Sequence, residues 1–131
     1  MAKGTITGAT TDVPTCSYFS GSATLPPDTT LILTKRNLDN GSSAVYPELV
    51  HGWDRPASLA SWRGAQYFGN GDDSVGQHYE VGLRAVDLEA ARAFHDDRND
   101  DGQALARSGT PLDAVRVLRV TGEGPNGCEG R

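Results

Sequence analysis

The chain has few lysines, no cluster of basic residues and no long hydrophobic run, and these absences exclude whole classes of function. Only two of its 12 basic residues are lysines, and the arginines are scattered singly. With a formal net charge of −5, the sequence argues against a nucleic-acid partner, because phosphate binding needs clustered Lys and Arg. No apolar run approaches the length that crosses a bilayer, so no transmembrane segment is predicted.

Sequence signatures of catalysis are also missing. The histidines at 51, 78 and 95 are isolated, and none belongs to an HxH or HxxxH metal-ligand pair. There is no Gly-x-Ser-x-Gly elbow and no glycine-rich phosphate loop after a strand. The sequence therefore predicts that the protein is not an enzyme. One alternative stays open, a small hydrolase whose carboxylates at 72–73 or 96–101 converge in the fold.

The chain does contain many turn-forming residues between short apolar segments. Its 16 glycines and 7 prolines separate runs that alternate with period two, as in a folded all-β domain with many turns. At 131 residues, the length suits one domain with its own core. We therefore expect a single domain spanning 1–131, with flexible ends at 1–11 and 123–131.

Strands are predicted in five segments, and one helix between two of them. The clearest strand is 78–86, in which Tyr79 and alternate apolar residues face one way. The others are 16–25, 30–36, 58–69 and 114–122. Residues 86–97 are the one helical segment, with Asp87 as its N-cap. Tyr79 and Trp62 are expected in the core, as aromatic residues within sandwich strands.

The order of these features resembles a widespread bacterial Ig-like β-sandwich domain that lies beside membrane anchors or signalling modules. The resemblance covers about residues 12–122, and two segments, 51–60 and 95–102, depart from it. The matching segments are "FSGSATLPPDTTLILTKR" (19–36), "VYPELV" (45–50), "SWRGAQYFGNGDDSVGQHYEVGLRAVD" (61–87) and "VRVLRV" (115–120). The resemblance implies an Ig-like sandwich of about seven to eight strands, with the short helix on a crossover, and supplies no catalytic residues.

The first departure from the pattern contains a candidate ligand-binding loop. In "HGWDRP", His51, Trp53, Asp54 and Arg55 place an aromatic ring and three polar groups in one loop, as many recognition loops do. The alternative is that Trp53 folds back over the end of the sandwich and that Asp54 or Arg55 makes a local ion pair.

The second departure contains a candidate calcium loop. Asp97, Asn99, Asp101 and Gly102 match positions 1, 3, 5 and 6 of an EF-hand loop, where alternate oxygens converge on Ca²⁺. Position 12 should be a bidentate Glu and is Ser108, so the expected site is degenerate and weak. The alternative is a solvated acidic turn after the helix, because Asp and Asn favour turns.

The two cysteines, Cys16 and Cys128, are too far apart in sequence to form a CxxC metal pair. In a sandwich whose first and last strands are neighbours they can form a disulfide that closes almost the whole chain. The alternative is two unrelated thiols, since a bridge needs an oxidising compartment.

Together these features predict a binding or accessory module that recognises a protein or a glycan through its end loops. The beginning of the chain has no hydrophobic core that would indicate a signal peptide. Both ends suit a domain excised from a longer protein, whose export signal or membrane anchor would then lie outside this sequence. We therefore expect an extracytoplasmic domain whose full-length protein is exported or membrane-anchored, with Ca²⁺ as its candidate cofactor. A cytosolic sensory domain of a signalling protein is the alternative.

Overall fold

The structure is a computed structural model that describes residues 1–9, 11–69 and 74–122. In these ranges the chain forms eight strands, two short α-helices and one 3₁₀ helix at Pro56–Ala60. The strands are β1 (Lys3–Gly8), β2 (Asp12–Val13), β3 (Cys16–Thr24), β4 (Thr29–Asn37), β5 (Tyr46–Leu49), β6 (Ser61–Tyr67), β7 (His78–Asp87) and β8 (Thr110–Arg119). The α-helices are α1 (Leu88–Asp96) and α2 (Gln103–Ala106).

The strands form two sheets. The small sheet has the order β1-β3-β6, and the large sheet has the order β2-β8-β7-β4-β5. Neighbouring strands are antiparallel, except that β2 runs parallel to β8. The fold is therefore mostly β and sandwich-like with eight strands, which confirms the predicted fold class at this level.

The main core lies between the two sheets, where the inward-facing side chains of both sheets meet. Phe19 and Trp62 of the small sheet are buried with Leu31, Leu33 and Tyr79 of the large sheet. The core positions predicted for Trp62 and Tyr79 are confirmed, with 2% and 6% of their surfaces exposed. Apolar burial on this scale is the dominant favourable term in folding.

A second, smaller core lies on the outer face of the large sheet. Ile32 of β4 packs there with Val86, Ala91 of α1 and Leu105 of α2. The flanking residues Leu31 and Leu33 belong to the main core, so both faces of β4 are covered. This explains the unbroken apolar run "LIL", because a strand that is buried on both faces does not alternate. The helices thus shield one face of the sheet.

Two predictions about the chain's organisation were wrong. Residues 1–11 were predicted as a flexible end, yet residues 3–8 pair with β3 as an edge strand, and the Asp113 carboxylate accepts a hydrogen bond of 2.8 Å from the Ile6 amide. The helical connection joins β7 to β8, which are neighbours in the same sheet, so it is not a crossover. The other predicted flexible end, 123–131, lies outside the described residues.

The predicted helix is present as α1, with one difference at its start. Asp87 occupies the N-cap position but makes no side-chain capping hydrogen bond. The α1 helix is therefore held by packing of Ala91 and Phe94 against the large sheet more than by its cap. Within the described ranges, no helix combines the length and the apolar character that crossing a membrane requires.

Candidate functional site

The segment after β5 is a tight turn that presents the predicted recognition residues. Gly52 has a φ of 75°, and the amides of Trp53 and Arg55 donate to the carbonyls of Val50 and Gly52, at 3.2 and 2.8 Å. The His51 amide donates to the carbonyl of Arg63 in β6 at 2.8 Å. These bonds fix the turn between the two sheets.

Trp53 connects this turn to α1. Its side chain is half-buried and packs against both cores. The Arg92 guanidinium lies 5.5 Å from the centre of the Trp53 ring, and the His95 ring lies 5.1 Å from it. The Trp53 carbonyl also accepts a hydrogen bond of 2.7 Å from the Thr30 hydroxyl. The alternative reading of Trp53 as a residue that folds back over the sandwich therefore holds for part of its surface.

The acidic segment after α1 is shaped by its own side chains. An Asp97 oxygen accepts a hydrogen bond from the Asn99 amide at 3.0 Å, and an Asp101 oxygen accepts one from the Gln103 amide at 3.1 Å. Between them, an Asp100 oxygen accepts from the Gly102 amide at 2.8 Å. Such local bonds are the reason why Asp and Asn favour turns. They account for the spacing of these residues without a metal.

Gly102 fixes the acidic segment against the large sheet. Its φ of 79° lies in the left-handed region that favours glycine. A Cβ atom at this position would lie 2.3 Å from a Pro47 side-chain carbon and 2.9 Å from the Phe94 ring. The glycine that matches position 6 of an EF-hand loop is therefore required here for packing on β5.

The two predicted segments both line one cleft of about 600 Å³. Residues 48–54 contribute to it from the first segment. The second segment contributes Phe94, His95, Asp97, Arg98 and Asp100. A volume of this size is within the range of small-molecule and side-chain pockets. The fold therefore combines into one site two segments that lie about forty residues apart in the sequence.

Not every predicted residue contributes to this cleft. His51, Trp53 and Asp54 line it, whereas Arg55 does not. The exposed Arg55 guanidinium lies 3.9 Å from the Asp54 carboxylate, which is the local ion pair considered above. Such a solvent-exposed pair contributes little to stability.

Only one of the three predicted calcium ligands lines the cleft. Asp97 lines the cleft, but Asn99 and Asp101 do not. In the parts of the chain that the structure describes, no three His, Cys, Asp or Glu side chains are grouped so that they could hold a metal ion.

Sequence reasoning did not single out several of the lining residues as parts of a ligand site, among them Glu48, Phe94 and His95. Phe94 and His95 lie in the predicted helical segment 86–97, and His95 is exposed. The signal that could have found them is their position at the end of α1, immediately before the acidic segment. The position of Glu48 in the middle of a short strand gave no such signal.

Two further expectations concern residues at the margin of the described chain. Cys16 is fully buried and packs with Ala65 and the rings of Tyr18 and Tyr67. Its expected partner, Cys128, lies outside the described residues, so the disulfide stays a prediction. The carboxylates at 72–73, proposed for the alternative hydrolase, lie outside them as well.

Comparison of the chain with protein-family models, with curated proteins and with solved structures gave no match. A function for this chain therefore has to be argued from its own geometry.

Proposed function

We propose that the chain is a non-enzymatic binding module, acting outside the cytoplasm, that recognises a protein or a glycan through the cleft between residues 48–54 and 94–100. The observation that carries this proposal is that two segments chosen separately from the sequence line the same cleft. An aromatic residue with several polar groups around a concave surface is the usual composition of a recognition site.

We also infer that the sandwich is Ig-like. Support comes from the strand order, because β1-β3-β6 and β5-β4-β7-β8 correspond to strands A-B-E and C′-C-F-G of an Ig domain. Tyr79 stands near the start of β7, in the place of the Tyr that marks strand F of many Ig domains. The 3₁₀ helix Pro56–Ala60 occupies the place of strand D. In Ig domains the loops at the ends of the sandwich are the recognition surface.

Binding of a ligand is tested with the two tryptophans of the chain. Trp53 lines the cleft and is half-buried, whereas Trp62 is buried in the core. We expect a ligand to change the fluorescence of the wild type and to leave that of Trp53→Phe unchanged, because only Trp62 remains in the variant. Pools of oligosaccharides and of short peptides are the probes.

Backbone NMR of the isotopically labelled chain locates the ligand independently of fluorescence. We expect chemical shifts to change at residues 48–54 and 94–100 and to stay constant in β1 and β3. Changes that map instead to the small sheet would contradict the cleft as the binding site.

A carboxylate-dependent hydrolase is the second candidate, because Asp97 and Asp100 line the same cleft as Glu48 and Asp54. Two carboxylates that flank a bound sugar are the groups with which most glycosidases work. Mass spectrometry of each bound oligosaccharide after prolonged incubation separates the two candidates. Intact ligand supports the binding module, and cleavage that Asp97→Asn or Asp100→Asn abolishes supports the hydrolase.

A further inference from the structure

The chemistry of the cleft lining selects among ligands. Apart from the indole N–H of Trp53, every polar side-chain group among the described lining residues is ionisable, and none is an amide or a hydroxyl. A lining of ionisable groups suits a charged ligand, because hydrogen bonds between charged partners are about twice as strong as neutral ones.

The sign of the charge is negative, however widely the site is drawn. The lining itself contains four carboxylates, those of Glu48, Asp54, Asp97 and Asp100, and one arginine, Arg98. If all charged residues in 48–55 and 92–101 are counted, there are six carboxylates and three arginines. With neutral histidines the site therefore has a net charge of −3 by either count. An anionic ligand is disfavoured and a cation is favoured.

The carboxylates of the acidic segment are positioned to accept from such a cation. Asp97 and Asp100 each accept a backbone amide with one oxygen. Within the described part of the chain, their second oxygens have no hydrogen-bond partner. Because an ionised carboxylate accepts with both oxygens, the turns order the two side chains and still leave them able to bind an ammonium or guanidinium group.

The apolar part of the lining suits the stem of a basic side chain. Leu49, Val50, Trp53 and Phe94 line the cleft beside the carboxylates. Lys and Arg side chains bury their aliphatic stems on such surfaces and keep the charged end polar. The chain already contains an internal example, because the Arg92 guanidinium lies over the Trp53 ring.

We infer that the cleft binds the Lys or Arg side chain of a short basic peptide segment, an inference that rests on the proposed binding function and names its ligand. The charged end pairs with the carboxylates of Asp97 and Asp100, and the aliphatic stem lies against Trp53 and Phe94.

The test is a calorimetric and NMR titration with a capped pentapeptide that contains two lysines, and with the same peptide in which glutamine replaces both lysines. We expect the lysine peptide to shift resonances of 48–54 and 94–100, and to bind more weakly as salt is added. We expect the double variant Asp97→Asn with Asp100→Asn to weaken binding by about tenfold, since two charge pairs are lost. The asparagines keep an oxygen that accepts the backbone amides, so the segment retains its turns.

A matched control separates local contacts from overall charge. Asp28→Asn with Glu89→Gln also removes two negative charges, from exposed residues that do not line the cleft. We expect this control to change affinity less than about twofold. If the segment fails to fold in the first variant, Asp54→Asn, which removes a carboxylate of the cleft outside that segment, tests the same inference.

Other outcomes have distinct meanings. Equal binding of the lysine peptide to the double variant and to its control overturns the inference. Binding of a neutral N-acetylglucosamine oligomer in the cleft, without the lysine peptide, overturns the inference but leaves the proposed binding function. Spermidine that binds more tightly than the lysine peptide overturns the assignment to a peptide. If none of these probes, nor any ligand in the pools, changes resonances of the cleft, the proposed function fails as well.

Discussion

Arg119 shows what a single residue contributes where two sheets and two turns meet. It is only 3% exposed, although it is charged. Its guanidinium donates to the Thr15 hydroxyl at 3.0 Å, to the Gly69 carbonyl at 3.2 Å and to the Phe68 carbonyl at 3.4 Å. One buried side chain thus satisfies polar atoms that would otherwise have no donor.

Arg119→Met should lower the free energy of unfolding by about 2–4 kcal/mol, because it leaves several buried acceptors without a partner. Urea denaturation measures the change. Arg116→Met is the control, since Arg116 lies on the same strand and is exposed, and it should change stability by less than about 0.5 kcal/mol. Equal effects of the two substitutions would contradict the role assigned to Arg119.

Asp39 is a second residue whose effect can be isolated, by pH. The backbone amide of His78, at 2.7 Å, and then its ring, at 2.9 Å, lower the pKa of the Asp39 carboxyl below its usual value. A lowered pKa in the folded state means that the contribution to stability is present above the unfolded pKa, about 3.9, and is lost as the pH falls through the folded value.

Asp39→Asn should therefore melt at a lower temperature than the wild type at neutral pH, and the difference should close as the pH falls through the lowered pKa of the Asp39 carboxyl. Thermal melts between neutral pH and pH 2.5 measure it. Asp28→Asn is the control, because the described residues donate no hydrogen bond to the Asp28 carboxylate. A gap between Asp39→Asn and wild type that stays constant down to pH 2.5 would refute the assignment.

At the scale of elements, the five segments predicted as strands contain β3, β4, β6, β7 and β8, whereas β1, β2 and β5 were not predicted. The segments 30–36 and 78–86 became β4 and β7 because their apolar residues repeat with period two or are continuous. By contrast, β1 contains one buried apolar residue, Ile6, among glycines and threonines. It is a strand because β3 and Asp113 supply partners for its backbone, and such long-range partners leave no local signal.

The candidate site was predictable in its residue types but not in its assembly. The loop at 51–55 and the acidic segment at 96–101 were each recognisable from local composition. Their proximity was not, because it depends on how α1 packs on the outer face of the large sheet. The one-turn helix α2, which contributes Leu105 to that packing, was not predicted, because four residues are too few to show a helical period in the sequence.

The predicted calcium site concerns one such element, the acidic segment after α1. If Asp97, Asn99 and Asp101 bind Ca²⁺ with a Kd near 1 mM, then 10 mM CaCl₂ should stabilise the fold by about 1.4 kcal/mol and raise its Tm by about 5 °C relative to EDTA. Asp97→Ala should abolish the shift. MgCl₂ at the same ionic strength is the control for screening. An unchanged Tm in wild type means that the local hydrogen bonds fully account for these side chains.

At the scale of the whole molecule, the two sheets and the helices use β4 as a common support. One face of β4 contributes Leu31 and Leu33 to the main core, and the other contributes Ile32 to the core beneath α1 and α2. The turn that carries Trp53 contacts both cores. We therefore expect the cleft to be ordered only when the whole domain is folded, and not to form in a peptide excised from it.

The predicted Cys16–Cys128 disulfide is also a property of the whole molecule, because it would close a loop of more than a hundred residues. A bridge of that span should stabilise the fold by about 4–5 kcal/mol in the loop-entropy description.

Cys128→Ala should lower the free energy of unfolding by that amount under oxidising conditions and leave it unchanged under reducing conditions. Cys16→Ala should lower the free energy of unfolding slightly more, because Cys16 is fully buried and its substitution also leaves a small cavity. If the thiols are bonded to each other, the double variant is no less stable than Cys16→Ala alone, since either substitution already breaks the bridge. Two free thiols per chain, titrated in the unfolded oxidised protein, would refute the bridge.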